Sequence, residues 1–477
     1  MHNYDRTELF IDGQWITPNG TGTVEVIDPA TEEVFGAVPS GTAEDVDAAV
    51  AAARRAFDPL VSVAERRDRL ARVIDAMAKR LPDIAETITR EMGAPVRIAG
   101  SVQTQVPMAV ARGIADVLEK FEFEERVGNS LVVREPYGVV AAITPWNYPL
   151  YQVVAKVIPA IAAGCPVVLK PSNEAPLSTF EFVEAIQAAG LPPGSVNLVT
   201  GPGRVIGEHM AAHPDVDLVS FTGSTDVGAR VGELAGKTVK KVALELGGKS
   251  ANVILDGADL ATAVKVGVGN AFLNGGQTCM AWTRMLVPQS RYAEALEIAA
   301  AAAARYTVGD PWDPGTRIGP SASRSQFETV LGYIERAQRD GARLLTGGAE
   351  KIRDTGYFVA PTIFADADPL SELGQEEVFG PVLAIIPFTD TDDALRIANA
   401  TPYGLSGAVW AADDDTAIAF ARRVQTGQLD INGGPYNPLA PFGGYKKSGI
   451  GRELGRYGFE EYLQTKALQL PTPKASA

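Results

Sequence analysis

Cys279 is one of two cysteines in 477 residues and closes the run Asn274-Gly275-Gly276-Gln277-Thr278-Cys279-Met280. Glycines let a backbone turn sharply and approach a ligand closely, because they lack a Cβ. A thiol beside such a turn can present both its sulfur and its own N–H to a bound molecule, which is nucleophile chemistry. The competing reading is a small buried hydrophobe, the usual fate of a free cysteine. Four other stretches carry groups that a reactive thiol would need. Glu245, in Leu244-Glu245-Leu246-Gly247-Gly248-Lys249-Ser250, ends an apolar strand, where desolvation raises a carboxylate's pKa and suits it to act as a base. Asn147 lies between two prolines in Thr144-Pro145-Trp146-Asn147-Tyr148-Pro149; a rigidly held amide is a good donor to a developing oxyanion. Phe221-Thr222-Gly223-Ser224-Thr225-Asp226-Val227-Gly228 reads as strand, glycine turn and helix start, where free N–H groups favour an anion such as pyrophosphate. It lacks the three spaced glycines of the usual dinucleotide fingerprint. Lys170 opens Lys170-Pro171-Ser172-Asn173-Glu174 after a buried strand, the place where open α/β sheets bind ligands. Each stretch also has an ordinary structural reading: a paired carboxylate, a rigid turn, a capped helix and a solvated lysine.

Three histidines in the chain leave little choice of a histidine base. His209 and His213 are four apart on an expected helix, but Glu208 precedes both, so the zinc-protease order is absent. His213 also precedes Pro214, where a helix stops. The pair is read as structural, and no metal site is expected. Cys165, entering an apolar strand, is read as inert packing.

These groups must be positioned by a chain too long for one core, so two or three domains are expected. A net charge of -15 argues against nucleic acid or an anionic membrane as partner. Two cysteines cannot form a disulfide framework, which fits a reducing cytoplasm, and Met1 to Phe10 show no apolar core of a secretory signal. The apolar region Val139–Leu169 contains four prolines and Lys156, which suits strand, turn, helix and strand rather than a membrane span. Thr42 is expected to cap a helix, and Pro82 to open a second helix within the helical period from Ala64 to Met92. Glu122 to Glu135 reads as a hairpin about Gly128-Asn129, with Tyr462 to Leu470 as its counterpart. Exposed strand edges there would pair with another subunit. From Val139 onward strands and helices alternate, first to Leu246 and again from Asn252 past Val382, the signature of sheets wound with helices. The fold expected is α/β: two α/β domains with parallel-type sheets plus a β-rich arm. Only the tail after Pro471 reads as loose.

In this order, and with Glu376-Glu377-Val378-Phe379-Gly380-Pro381 and Pro441-Phe442-Gly443-Gly444-Tyr445-Lys446-Lys447-Ser448-Gly449 added, these stretches resemble the aldehyde dehydrogenase superfamily from Phe10 to about Lys466. The resemblance implies Cys279 as nucleophile, Glu245 as general base, Asn147 and the Cys279 N–H as oxyanion hole, and Lys156 as a supporting lysine. It implies a cofactor site of Ile143, Thr144, Pro145, Trp146, Lys170, Ser172, Asn173, Gly203, Phe221, Gly223, Ser224, Val227, Gly228, Leu246 and Gly247, with Glu377 and Phe379 at the nicotinamide ribose and ring. It implies a Rossmann-like cofactor domain of residues 1–117 and 137–247, a catalytic domain of 248–461, and an oligomerisation arm and tail of 118–136 and 462–477. A homodimer or homotetramer is expected.

The residue chemistry closes independently. A thiol adds to an aldehyde carbonyl, the adduct gives hydride to a nicotinamide cofactor, and a base-activated water releases the acid from the thioester. Two departures from the family pattern bear on ligands. Asn173 stands where many NAD-dependent members have a glutamate that binds the adenosine ribose and repels the 2′-phosphate of NADP; asparagine keeps the hydrogen bonding but removes that repulsion, so NAD is expected as the preferred cofactor and NADP use is open. Tyr148, Tyr151, Gln152 and Ala155, with Thr278, Met280, Tyr436 and Phe442, are expected to line a roomy substrate site for a medium-to-large aldehyde. Two other readings are a coenzyme-A-acylating relative, which uses the same thiol but needs no water-activating base, and a non-catalytic, crystallin-like protein; Glu245 argues against the first, and the intact Cys279, Glu245 and Asn147 against the second.

Overall fold

The computed structural model describes residues 4–471; the tail beyond Pro471 that reads as loose lies outside them. Two large sheets divide the strands by sequence position. The eight-stranded sheet has at its centre Val140–Ile143, flanked on one side by Val167–Lys170 and Val196–Leu198 and on the other by Leu218–Thr222 and Lys241–Glu245, all parallel. Val140–Ile143, Val167–Lys170, Val196–Leu198 and Leu218–Thr222 are buried throughout, which is why they read as continuous apolar runs rather than alternating ones. The chain lays strands first to one side of Val140–Ile143 and then to the other. The crevice at the carboxyl ends of this switch point is where such sheets hold ligands. An N-terminal hairpin, Leu9–Ile11 with Gln14–Ile16, closes one edge, and Gly449–Ile450 pairs antiparallel with Lys241–Glu245 at the other.

The seven-stranded sheet is built from Ala251–Ile254, Arg284–Pro288, Arg343–Thr346, Thr362–Ala365, Val382–Phe388, Gly407–Trp410 and Asp430–Ile431. It is parallel except at the Arg343–Thr346 edge. A third, three-stranded sheet joins the hairpin Glu124–Val127 and Ser130–Pro136 to Leu463–Gln469, paired antiparallel in the register Leu463 to Pro136. Its outer strand, Glu124–Val127, is exposed at every position.

The apolar region Val139–Leu169 resolves into strand, the helix Pro149–Ala163 and strand, and no helix among the described residues is long and apolar enough to cross a membrane. Thr42 precedes the helix Ala43–Ala56, and its N–H donates to the Asp45 carboxylate at 2.8 Å. One expectation fails. Pro82 does not open a new helix but lies inside a single 30-residue helix, Val63–Met92. Pro82 is exposed, so water can satisfy the carbonyl that loses its N–H partner. Leu70, Val73, Met77, Ile84 and Ile88, buried on either side of it, hold both halves on one face against the core. Tertiary packing outweighs the local cost of the proline.

Candidate active site

The helix Leu260–Phe272 ends in a tight turn, Leu273–Gly276, whose Asn274, Gly275 and Gly276 all take positive φ. At Gly276 (φ +73°) a Cβ would collide with the Gly380 carbonyl oxygen, so only glycine lets the turn press against that segment. The turn is cross-braced: Gln277 Nε2 donates to Asn274 O at 3.1 Å, and Gln277 Oε1 accepts from Ala322 N–H at 2.8 Å. Asn274 Nδ2 donates to Asn147 O at 3.0 Å, and Asn147 Nδ2 donates to Gln277 O at 3.1 Å. Gln103 Nε2 completes the brace on Asn147 O at 2.9 Å. Asn147, 130 residues away in sequence, is thereby fixed two residues before Cys279. One amide hydrogen of Asn147 is spent on Gln277, and the other remains for a ligand.

Glu245 ends its strand beside Thr222 in the parallel pair and beside Gly449 in the antiparallel one. It is 4% exposed, and neither carboxylate oxygen has a hydrogen-bond partner. Burial, then the charge of Glu453, push its pKa well above the usual carboxylate range, with Lys156 and Arg452 opposing. A Cβ at Gly443 would stand 2.7 Å from Glu245 Oε1. Lys156, fully buried on the helix Pro149–Ala163, donates to Thr222 Oγ1 at 2.7 Å and forms an ion pair with Glu453. Glu453 and Thr222 are functional neighbours that the sequence does not flag. Glu453 lies 208 positions past Glu245 with no periodic or motif context, so no local signal could have found it. The thiol of Cys279 is pushed up by burial, then by the acids Glu377, Glu245 and Glu453. These effects favour the protonated thiol, whose proton must leave to a base before the sulfur can attack.

The switch-point crevice gathers the residues expected at the cofactor. Ile143 and Lys170 end adjacent strands, and Thr144 N–H donates to Lys170 O at 3.0 Å. Phe221 and Gly223 lead into the helix Thr225–Gly236, where Ser224 caps by accepting from Val227 N–H. Gly228 packs on Leu246, and Val227 is exposed on the first turn. Burial pushes the Lys170 ammonium down to about 8, and its one bond, 2.9 Å to Pro171 O, leaves donors free. Ser172 donates to Glu174, while Asn173 Oδ1 is buried without a partner. Gly203 is exposed with open space around it; Gly207, not singled out from sequence, is the glycine beside Lys170 and Ile143. On the other side Glu377 accepts from Gly248 N–H at 3.1 Å and is pushed up to about 7 by burial. Lys249, also missed, is buried and held down to about 7 by burial and Arg284. The Trp146 and Phe379 rings meet edge to face at 5.4 Å, with Pro145 half-buried beside Trp146. Gly247 O accepts from Ser448 Oγ at 2.6 Å.

Tyr148, Tyr151, Gln152 and Ala155 lie along one face at the start of Pro149–Ala163. Tyr148 OH meets Thr278 Oγ1 at 2.8 Å, and Tyr151 OH meets Tyr436 OH at 2.9 Å. Ala155 and Phe442 belong to one buried cluster, against which Trp146, Tyr151, Cys279, Met280 and Tyr436 pack. Of the residues expected around the aldehyde, Tyr148, Thr278, Met280, Tyr151 and Tyr436 lie with Cys279. A surface cleft of about 580 Å³ between the helix Gln105–Lys120 and Leu439 contains none of them. His209 and His213 lie elsewhere, both turned on Asp47 at 2.6 and 3.3 Å. His213 Nδ1 accepts from Asp215 N–H at 3.1 Å, which leaves its ring proton on Nε2 toward Asp47. The two rings thus tie their helix to Ala43–Ala56.

A family model described as the aldehyde dehydrogenase family matches residues 15–468. The 3-succinoylsemialdehyde-pyridine dehydrogenase of a Pseudomonas species is 48% identical over 474 residues, covering 97% of this chain and 98% of that protein. An aldehyde dehydrogenase C mutant from Pseudomonas syringae, in complex with NAD+ and octanal, superposes with a TM-score of 0.97 at 45% identity, covering 100% of this chain and 98% of that one. The Mycobacterium tuberculosis aldehyde dehydrogenase complexed with NAD+ gives 0.96 at 40% identity, covering all of both chains.

Proposed function

The chain belongs to the aldehyde dehydrogenase family, and on that premise we propose how its residues divide the oxidation of an aldehyde to its acid. Cys279 Sγ adds to the carbonyl carbon, its proton passing to a base, and the second amide hydrogen of Asn147 with the Cys279 N–H stabilises the oxyanion. A nicotinamide cofactor, when bound, supplies the hydride acceptor. Glu245 then takes a proton from the water that attacks the thioester carbon, expelling the Cys279 thiolate and releasing the acid. One observation carries this reading: a buried carboxylate with both oxygens unpartnered, electrostatically coupled to a thiol whose loop is bonded to a braced amide. A free carboxylate base also favours hydrolysis over acyl transfer to coenzyme A, and the complete set favours an enzyme over a crystallin-like protein.

The crevice fits a dinucleotide. The Thr225–Gly236 helix start offers N–H groups to a pyrophosphate, the spare donors of Lys170 suit ribose hydroxyls, and Glu377 with Phe379 faces the thiol side. NAD is the preferred cofactor, a reading supported by two structural neighbours that are complexes with NAD+. The Glu174 carboxylate, one position after Asn173, supplies charge that repels a 2′-phosphate, and a higher kcat/KM with NADP would reverse that order. The aldehyde is medium to large, consistent with the octanal complex and with the pyridine semialdehyde of the relative's name. Residues 1–117 with 137–247 form the cofactor domain, 248–461 the catalytic domain, and 118–136 with 462–477 the arm and tail. The arm's open edge, Glu124–Val127, supports a homodimer or homotetramer, which light scattering would distinguish. Two free thiols suit the reducing cytoplasm.

The test is paired. Cys279→Ala is expected to abolish NADH formation, while Glu245→Gln is expected to give a burst of about one NADH per site followed by slow turnover, because only thioester hydrolysis has lost its base. Steady NADH production by Cys279→Ala would overturn the reading.

A further inference from the structure

The hydroxyl protons beside the thiol do not cancel. Thr278 Oγ1 donates to Leu273 O at 3.2 Å, so the 2.8 Å contact with Tyr148 must use the Tyr148 proton. That proton is spent. Tyr151 and Tyr436 lie 2.9 Å apart and share one hydrogen bond between two O–H groups. Whichever donates, one phenolic proton is left over. Burial favours the neutral phenol in both, and Tyr436 is pushed up to about 12. One turn of helix from Tyr148 and adjacent to Tyr151, Gln152 is 3% exposed, and its Oε1 has no partner. That amide oxygen is an acceptor; the donor, the spare phenolic proton, stands on the wall that also holds Tyr148, Thr278 and Cys279. The charges that bear on Tyr436 are Glu453 and Asp430, both acidic, so the wall disfavours an anionic tail.

We propose that the preferred aldehyde carries a neutral hydrogen-bond acceptor, a ketone or heteroaryl nitrogen, a few bonds from its aldehyde carbon, and that the spare O–H of the Tyr151–Tyr436 pair recognises it. The proposal rests on the aldehyde-oxidation reading above. An apolar tail would leave the spare phenolic proton buried and unpaired, whereas a carbonyl or ring nitrogen satisfies it. Sites built to hydrogen-bond a substrate group discriminate against the analogue lacking it far more than apolar pockets discriminate by size.

The experiment compares 4-oxo-4-phenylbutanal with 4-phenylbutanal, which differ by one carbonyl group, following NADH formation by the full chain with NAD. Wild type is expected to favour the keto aldehyde by about tenfold or more in kcat/KM, the scale of one well-made hydrogen bond. Tyr151→Phe and Tyr436→Phe should each keep much of that ratio, because either variant retains one O–H. The double variant, Tyr151→Phe with Tyr436→Phe, should bring the ratio near one. A wild-type ratio near one overturns the proposal while leaving aldehyde oxidation standing, and so does a ratio that survives in an active double variant. Absence of NADH from every aldehyde, hexanal included, would instead sink the oxidation reading and this proposal with it. Should the double variant not fold, the wild-type ratio decides.

Discussion

Removing Glu453 or Lys156 should move the pH dependence of catalysis in opposite directions. Glu245 acts as a base only when deprotonated, and its pKa is already raised, so deacylation gains rate as pH rises through that pKa. The negative charge of Glu453 raises it and the positive charge of Lys156 lowers it. Glu453→Gln removes the first and should shift the ascending, acid-side limb of kcat to lower pH; Lys156→Met removes the second and should shift it to higher pH. A nearby unit charge at an effective dielectric of about 20 contributes on the order of 1–2 kcal/mol, or about one pH unit. The two side chains form a buried ion pair, at 0% and 5% side-chain exposure. Deleting one partner therefore also costs stability, about 3–5 kcal/mol when an uncompensated charge stays buried. Glutamine retains an acceptor for Lys156, so Glu453→Gln should fall toward the lower end of that range. Measuring kcat against pH by NADH release, at a temperature well below each variant's Tm, separates the two effects. The double variant Lys156→Met with Glu453→Gln should return the limb close to its wild-type position. Shifts of the same sign, or none, would show that Glu245 does not feel these charges and would refute the reasoning.

Two further outcomes follow from the loop that presents Cys279. Asn147→Ala removes an oxyanion donor and the bond to Gln277, and kcat should fall by about 10²–10³, measured against an unchanged thiol titre. Gly276→Ala forces a Cβ into the Gly380 carbonyl at a positive φ; thermal melts should show a destabilisation well beyond the roughly 1–3 kcal/mol of backbone strain alone, and a wild-type Tm would contradict the turn geometry.

The site was legible where chemistry coincides with a local backbone device. Glu245 before its two glycines, Asn147 between prolines, and Cys279 after a glycine turn each combine a functional group with residues that fix the chain around it. The strand pattern was legible for a related reason, since fully buried parallel strands must be continuously apolar. Pro82 was misread because propensity is weak beside the packing of Leu70, Met77 and Ile84. Gly207, Lys249 and Gln277 were missed because nothing adjacent in the chain marks a residue whose role is to brace another element. Lys156 was placed only through its resemblance to a family position; its partner Glu453, 297 residues away, gave no signal.

The sequence by itself determined which groups could react, because side-chain type and turn chemistry are local, and it determined the class of sheet, because burial on both faces dictates composition. Only the tertiary structure decided how those groups are tuned. Bringing Glu245 and Cys279 into one buried site beside Glu453 raises the proton affinity of both through desolvation and mutual charge. Pairing Tyr148 with Thr278, and Tyr151 with Tyr436, decides which hydroxyl proton is left to meet a substrate. Such effects depend on distances across hundreds of residues, and these distances exist only in the folded chain.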